Sequence, residues 1–321
     1  MPDQLRGAIE KAVAGSQHSA LRRASDEISA AYKSGDFTSP ILRSSVHRTA
    51  YTLVRMPATY AANVHALRNL ASSVAGFAPR TLLDLGSGPG TSAWAAAEVF
   101  PSIETFTLLE RDVGLVDLGR SLARRSESSA LRQAEWMSLD IANSTTLPKA
   151  DLVLISYALG ELGSKNRLNV VERAWGAAQE ALVVIEPGTR RGFEIVLGVR
   201  SQLIGMNAQL AAPCPHMDQC PMAAAGDWCH FAQRIERSSE HRRLKDGALG
   251  YEDEKFSYVA GSRLPISAPR SRVVRHPGIF SGYVKLELCN GPSLERQTVT
   301  RSKGQSYKEA RHARWGDGWD Y

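Results

Sequence analysis

The stretch Thr81-Leu82-Leu83-Asp84-Leu85-Gly86-Ser87-Gly88-Pro89-Gly90 constrains this chain most, because a short apolar run enters a turn with glycine at every second position. Glycines at i, i+2 and i+4 let the backbone adopt positive φ and leave no Cβ between the chain and a ligand. Thr91 to Phe100 is rich in alanine and follows as a helix whose free N–H groups point at that ligand. A nucleotide-like occupant is expected. The dinucleotide fingerprint is G-x-G-x-x-G, whereas this turn is Asp84-x-Gly86-x-Gly88-x-Gly90, with an acid two residues before the first glycine.

That spacing resembles the first motif of class I S-adenosylmethionine-dependent methyltransferases, and the segments that follow agree. Thr105 to Leu109 is a strand ending in Glu110, where a carboxylate can accept both ribose hydroxyls. Glu135 to Leu139 ends in Asp140, placed as the adenine-contacting acid of the resembling family. Asp151 to Ser156 and Ala181 to Glu186 are continuous apolar runs, as in parallel strands buried on both faces. The expected cofactor site is therefore Asp84, Gly86, Ser87, Gly88, Gly90, Glu110, Asp140 and Ser156. Alternating strands and helices from 80 to 200 imply right-handed crossovers and a doubly wound, Rossmann-like α/β sheet, with ligands beyond the carboxyl ends of its strands.

The fourth strand leads into Ser156-Tyr157-Ala158-Leu159-Gly160-Glu161-Leu162. Enzymes that methylate exocyclic base amines place Asn or Asp, two prolines and an aromatic residue there, and this chain does not. No cysteine lies in the sheet region to attack a pyrimidine, so the two commonest base-methylation chemistries lack their residues. After the fifth strand, Arg190 and Arg191 open a helix that runs through Leu203, and cations at a helix start oppose its dipole. They are either a solvated helix start or a contact for an anion.

Residues 1 to 34 have helical spacing (Leu5, Ile9, Val13, Leu21, Ile28, Tyr32), broken at Gly35-Asp36. Residues 45 to 75 are helical again and are interrupted at Met56-Pro57, as a kinked helix over one end of the sheet would be. Arg55 to Tyr60 is either that kink or a substrate contact. The expected organisation is a helical cap over 1–76, a methyltransferase core over 77–210 and a Cys-rich metal-binding insertion over 211–250. Late strands completing the sheet, with the fourth cysteine, follow over 251–290, and a basic tail over 291–321.

Three of the four cysteines, Cys214, Cys220 and Cys229, fall within 16 residues, and the fourth is Cys289. In a cytosolic chain such clustering argues for metal over disulfides. A zinc loop using His216 or His230, and a group of buried structural thiols, are the other options. Zinc ligands usually come in close pairs, whereas the intervals here are five, eight and fifty-nine residues, which suits a larger cubane reached by separate loops.

No apolar run approaches the roughly 20 residues of a membrane span. Asp3, Glu10, Asp26 and Glu27 make the N-terminus unlike a signal or transit peptide, so a cytoplasmic monomer without membrane attachment is expected. The net charge of +6 favours a polyanionic partner. From Arg234 to His276 ten Lys/Arg face six acids, and Arg301, Lys303, Lys308, Arg311 and Arg314 follow with Tyr307, Trp315 and Trp319 among them. Basic residues with interleaved aromatics suit RNA through phosphate contact and base stacking, the alternative being solvated surface.

Asp84 to Gly90, Cys214-Pro215-His216, Asp227-Trp228-Cys229-His230-Phe231 and Gly250-Tyr251-Glu252-Asp253-Glu254-Lys255-Phe256-Ser257-Tyr258 together resemble one family. It is the methyltransferase-like small-ribosomal-subunit protein family, known from mitochondrial ribosome assembly and with bacterial members, of which this chain is expected to be one. The resemblance implies a class I methyltransferase fold, association with the small ribosomal subunit and its rRNA during assembly, and a [4Fe-4S] cluster held by Cys214, Cys220, Cys229 and Cys289. Two roles stand: an assembly factor that uses the fold as a scaffold, and a working rRNA methyltransferase.

Overall fold

In the computed structural model, residues 1–34, 41–245 and 249–321 are described. The Gly35-Asp36 break and Asp246 of the basic run lie outside them, as do the side chains of Tyr32 and Lys245. The cap consists of α1 (Asp3–Val13), α2 (His18–Ser34), α3 (Ser45–Val54) and α4 (Met56–Ser73). Pro57 sits in the first turn of α4, where its missing N–H costs nothing, so the interruption is a junction between two helices and not a kink within one. Ser44 caps α3 by accepting from the His47 N–H.

The core alternates β1 (Thr81–Leu85), α5 (Thr91–Val99), β2 (Thr105–Glu110), α6 (Val113–Ala123), α7 (Ser129–Arg132), β3 (Glu135–Ser138), β4 (Ala150–Ser156), α8 (Ser164–Ala177), β5 (Ala178–Pro187) and α9 (Arg190–Gly205). Both faces of its sheet are buried, and successive residues divide between them. Leu82, Leu152, Leu154 and Val183 pack toward the cap, while Leu83, Leu85, Val153 and Val184 pack toward α8 and α9. This two-sided burial is why Leu152–Ile155 of β4 and Ala181–Ile185 of β5 are apolar at every position.

Beyond α9 come β6 (Gln209–Ala212), α10 (Pro221–Ala224), β7 (Phe231–Glu236), α11 (Ser239–Lys245) and β8 (Tyr251–Ser262). The strand order is β3-β2-β1-β4-β5-β8-β6, with β7 also on β8. β1 to β5 pair in parallel, and β8 is antiparallel to β5, which makes the sheet mixed. The order reverses between β1 and β4, and that switch point is where a ligand crevice opens.

β8 has β5 along one edge and two shorter strands along the other. β7 pairs with residues 251–256 of β8 and β6 with residues 260–262. The cysteine-bearing loop joins β6 to β7, across the intervening residues Ser257–Val259.

The remaining strands form a second sheet: β9 (Ser271–Val273), β10 (Gly278–Phe280), β11 (Tyr283–Asn290), β12 (Ser293–Thr300) and β13 (Gly318–Trp319), with α12 (Gln305–His312) against it. Of the late strands expected to complete the main sheet, β8 does so, and β9, β10 and β11 belong to this second one. Residues 291–321 are built into the fold and are no tail. The Gly316 N–H bonds the Val273 carbonyl at 2.9 Å, Trp319 packs in the small core, and Trp315 joins the main core.

Candidate functional site

A cavity of about 360 Å³ opens at the switch point between β1 and β4, a size within the usual range of small-molecule sites. Gly86, Ser87, Gly88, Glu110, Asp140 and Ser156 all line it. Gly88 has φ +53° and a Cβ placed on it would meet nothing within 4 Å, so the turn shows bare backbone to the cavity. Gly90, with φ +84°, caps α5 outside the cavity. Its missing Cβ makes room for Trp136, which would otherwise be 2.9 Å away, so its role is packing. Asp84 also lies outside the lining, fully buried behind the turn. Burial, helped by the nearby Glu110 charge, pushes its carboxyl up to about 8.

Glu110 ends β2 as expected. One oxygen accepts from the Gly88 N–H at 2.9 Å and the other from the Asp112 N–H at 2.8 Å, so the carboxylate braces the glycine turn as well as facing the cavity. Asp140 follows β3 and holds its own loop through the Ala142 N–H at 2.9 Å. Ser156 accepts from the Asn63 amide at 2.9 Å.

One residue not singled out for this site by sequence, Tyr157, lines it with unusual geometry, and Glu254 and Arg55 hold its hydroxyl end. Tyr157 is a non-glycine residue with φ +59°, a conformation that marks stored strain. Its hydroxyl donates to Glu254 at 3.0 Å, and Arg55 donates to the same carboxylate at 3.2 and 3.4 Å. Burial drives the Tyr157 hydroxyl well above its ordinary range. Arg55 thereby fastens the α3–α4 junction to β8. Sequence offered only the oddness of Arg55-Met56-Pro57 as a signal.

Cys214, Cys220, Cys229 and Cys289 line a second cavity, of about 40 Å³, against Ser257, Tyr258 and Val259 of β8. Four thiols separated by up to 75 residues thus face one space. The Ser257 hydroxyl donates to the Cys229 carbonyl at 2.7 Å, and Cys289 Sγ lies 3.5 Å from His216 Nε2. Burial raises the thiols of Cys214, Cys229 and Cys289, the last to about 12, and their mutual proximity adds to the rise, while Arg200 and Arg272 oppose it at Cys214 and Cys289. Among the described residues no three His, Cys, Asp or Glu side chains are arranged to hold a metal ion, so the expected metal-binding insertion has its ligands around a space without converging on a point. His230 stacks on Trp228 and meets Trp315 edge-on, outside the cavity lining.

Much of the basic run is consumed within the fold. Arg234 pairs with Asp253, Arg237 with Glu252, Arg243 with Glu240 and Arg275 with Asp227. Arg263 donates to the carbonyls of Ala178 and Trp175, and Arg272 is buried. Arg190 and Arg191 likewise donate to carbonyls, of Gly226 and Gly160. Lys303, Lys308, Arg311 and Arg314, beside the second sheet, are exposed.

A family model described as mitochondrial small ribosomal subunit Rsm22 matches residues 45–320. This chain belongs to that family. Within it, ribosome assembly protein METTL17, mitochondrial, of Homo sapiens is 26% identical over 284 residues, which are 83% of this chain and 61% of the human protein. The Rsm22-cox11 tandem protein 2, mitochondrial, of Schizosaccharomyces pombe is 26% identical over 326 residues, covering 84% of this chain and 42% of its own. The chain thus spans 61% and 42% of the length of these Rsm22 relatives. Among solved structures, plantazolicin methyltransferase BpumL in complex with SAH covers 80% of this chain and 98% of its own, at a TM-score of 0.40 and 12% identity. No helix among the described residues is long and apolar enough to cross a membrane.

Proposed function

We propose that this protein binds S-adenosylmethionine at the switch point and acts, as a monomer, with the small ribosomal subunit and its rRNA during assembly, the methyltransferase-like fold serving as scaffold. The observation that carries the cofactor half is the single cavity shared by Gly86, Ser87, Gly88, Glu110, Asp140 and Ser156. The bare turn at Gly88 suits close approach of a ligand, Glu110 suits the ribose hydroxyls, and Asp140 suits an adenine amine. Bound there, S-adenosylmethionine supplies an electrophilic methyl group. Membership of the Rsm22 family supports the ribosomal half, since the human relative is named as a ribosome assembly protein.

The four-thiol cavity supports a [4Fe-4S] cluster held by Cys214, Cys220, Cys229 and Cys289, because their wide spacing in sequence ends around one space. Such a cluster would tie the second sheet, through Cys289, to the edge of β8. Zinc is the alternative, favoured by His216 beside Cys289. A working rRNA methyltransferase is the second functional reading, favoured by strained Tyr157 in the cofactor cavity.

Calorimetry with S-adenosylmethionine tests the first half, and no heat at millimolar ligand overturns it. Co-sedimentation with small-subunit particles across a salt series tests the second. Binding through Lys303, Lys308, Arg311 and Arg314 weakens as salt rises, with each alanine replacement reducing the slope by roughly one unit. Salt-independent binding, or none, rejects it. Transfer of a labelled methyl group to rRNA distinguishes the enzyme from the scaffold.

A further inference from the structure

Two buried cations line the four-thiol cavity, and among the described residues their hydrogen-bond acceptors are all neutral. Arg200, on α9, and Arg272, on β9, both line it and are 6% and 4% exposed. Arg200 donates to the carbonyls of His216 and Asp218 at 3.0 and 2.6 Å. Arg272 donates to the Pro213 carbonyl at 2.7 Å, Asn69 Oδ1 at 2.9 Å and the Gly316 carbonyl at 3.0 Å. Every one of these acceptors is neutral. In addition, Arg272 Nη2 is buried with no hydrogen-bond partner among the described residues, and the Arg200 guanidinium lies against the Cys214 thiol. A buried guanidinium without a counter-charge is costly, and arginine does not shed its proton to escape that cost. The compensating negative charge has to come from the cavity. Cys289 is the register partner of Arg272 across β9 and β11, and Cys214 follows Pro213, whose carbonyl Arg272 holds.

We propose that Arg200 and Arg272 are the charge partners of an anionic group seated among Cys214, Cys220, Cys229 and Cys289, and that they raise its reduction potential. The proposal rests on the iron–sulfur reading above. Four thiolates outweigh the positive charge of a cubane core, so the assembly is anionic, and reduction adds one more negative charge. Two nearby cations therefore favour the reduced form. In the titration dithionite gives up the electron and the cluster accepts it, with no bond made or broken.

The test uses the full chain, reconstituted anaerobically with iron and sulfide, as wild type and as Arg200→Gln, Arg200→Lys, Arg272→Gln and Arg272→Lys. Iron and sulfide per chain are assayed, and midpoint potentials are read from a dithionite titration followed by visible absorbance. All five proteins are expected to carry about four irons. The glutamine variants should disfavour reduction roughly tenfold, a shift of about 59 mV to lower potential for one electron, and the lysine variants should stay near wild type. A structural role alone would lower thermal stability in lysine and glutamine variants alike and leave the potential unmoved. That result, with four irons bound, overturns the charge assignment and spares the cluster. Wild type without iron or sulfide overturns the iron–sulfur reading and this proposal with it. If Arg272→Gln does not fold, the Arg200 pair decides.

Discussion

Glu110 accepts a backbone N–H on each oxygen and lines the cofactor cavity with the same carboxylate. Glu110→Gln keeps the shape but gives up the negative charge and one acceptor. S-adenosylmethionine affinity should then fall by about 1.5–3 kcal/mol, read by calorimetry, with some loss of ligand-free stability as the turn loosens. Behind the turn, Asp84 is pushed up to about 8, and Glu186, buried under the Leu159 N–H, to about 7. Both folded-state values are raised, so the native chain keeps protons that the unfolded chain releases near pH 4. Stability of the ligand-free protein should therefore fall as pH rises from about 4 to about 8. Asp84→Asn should flatten that slope and raise the melting point more at pH 8 than at pH 5, by the equivalent of about 1–3 kcal/mol. The acid two residues before the first glycine was visible in the sequence, but its place behind the turn was not. Spacing locates a residue along a strand and leaves open which side of the sheet edge its carboxylate meets.

At the scale of elements, the Arg55–Glu254 pair clamps the start of α4 to β8 and orients the Tyr157 hydroxyl. Removing the guanidinium leaves a largely buried carboxylate uncompensated. Arg55→Ala should cost about 1–3 kcal/mol in urea unfolding, while Glu254→Gln, which removes the charge itself, should cost less. β4 and β5 were the most legible, because burial on both faces demands continuous apolar runs such as Leu152–Ile155 and Ala181–Ile185, a signal independent of distant partners. β12 was not: of its eight residues only Val299 is buried, and it exists because β11 offers a full-length antiparallel edge. β6 and β7 were hidden for a related reason. They are short, flank a proline-rich cysteine loop, and become strands by docking on β8.

Over the whole molecule, charge was the least reliable guide. The basic run from Arg234 to Arg275 suggested RNA contact or solvated surface, yet the fold pairs its cations with Asp253, Glu252 and Asp227 and buries its Arg272. The compositional surplus is real, but composition does not say which cations the fold itself consumes. The cysteines were more informative, because four thiols drawn to one space from distant positions require a specific closure of the chain. Truncation after Thr300 removes Trp315 from the main core and the Gly316 carbonyl from Arg272. The shortened protein should lose several kcal/mol and react with a maleimide reagent faster than the intact chain, as followed by mass spectrometry.

The hold of Gly316 on Arg272 also fixes an order of events during synthesis. Residues 81–187 can build their parallel sheet while later codons are still being read, whereas the thiol cavity cannot close until residue 316 has cleared the exit tunnel of the ribosome that makes it. The cavity is thus completed by residues that follow the parallel sheet by more than a hundred positions, so any group seated among the thiols is enclosed after that sheet has formed.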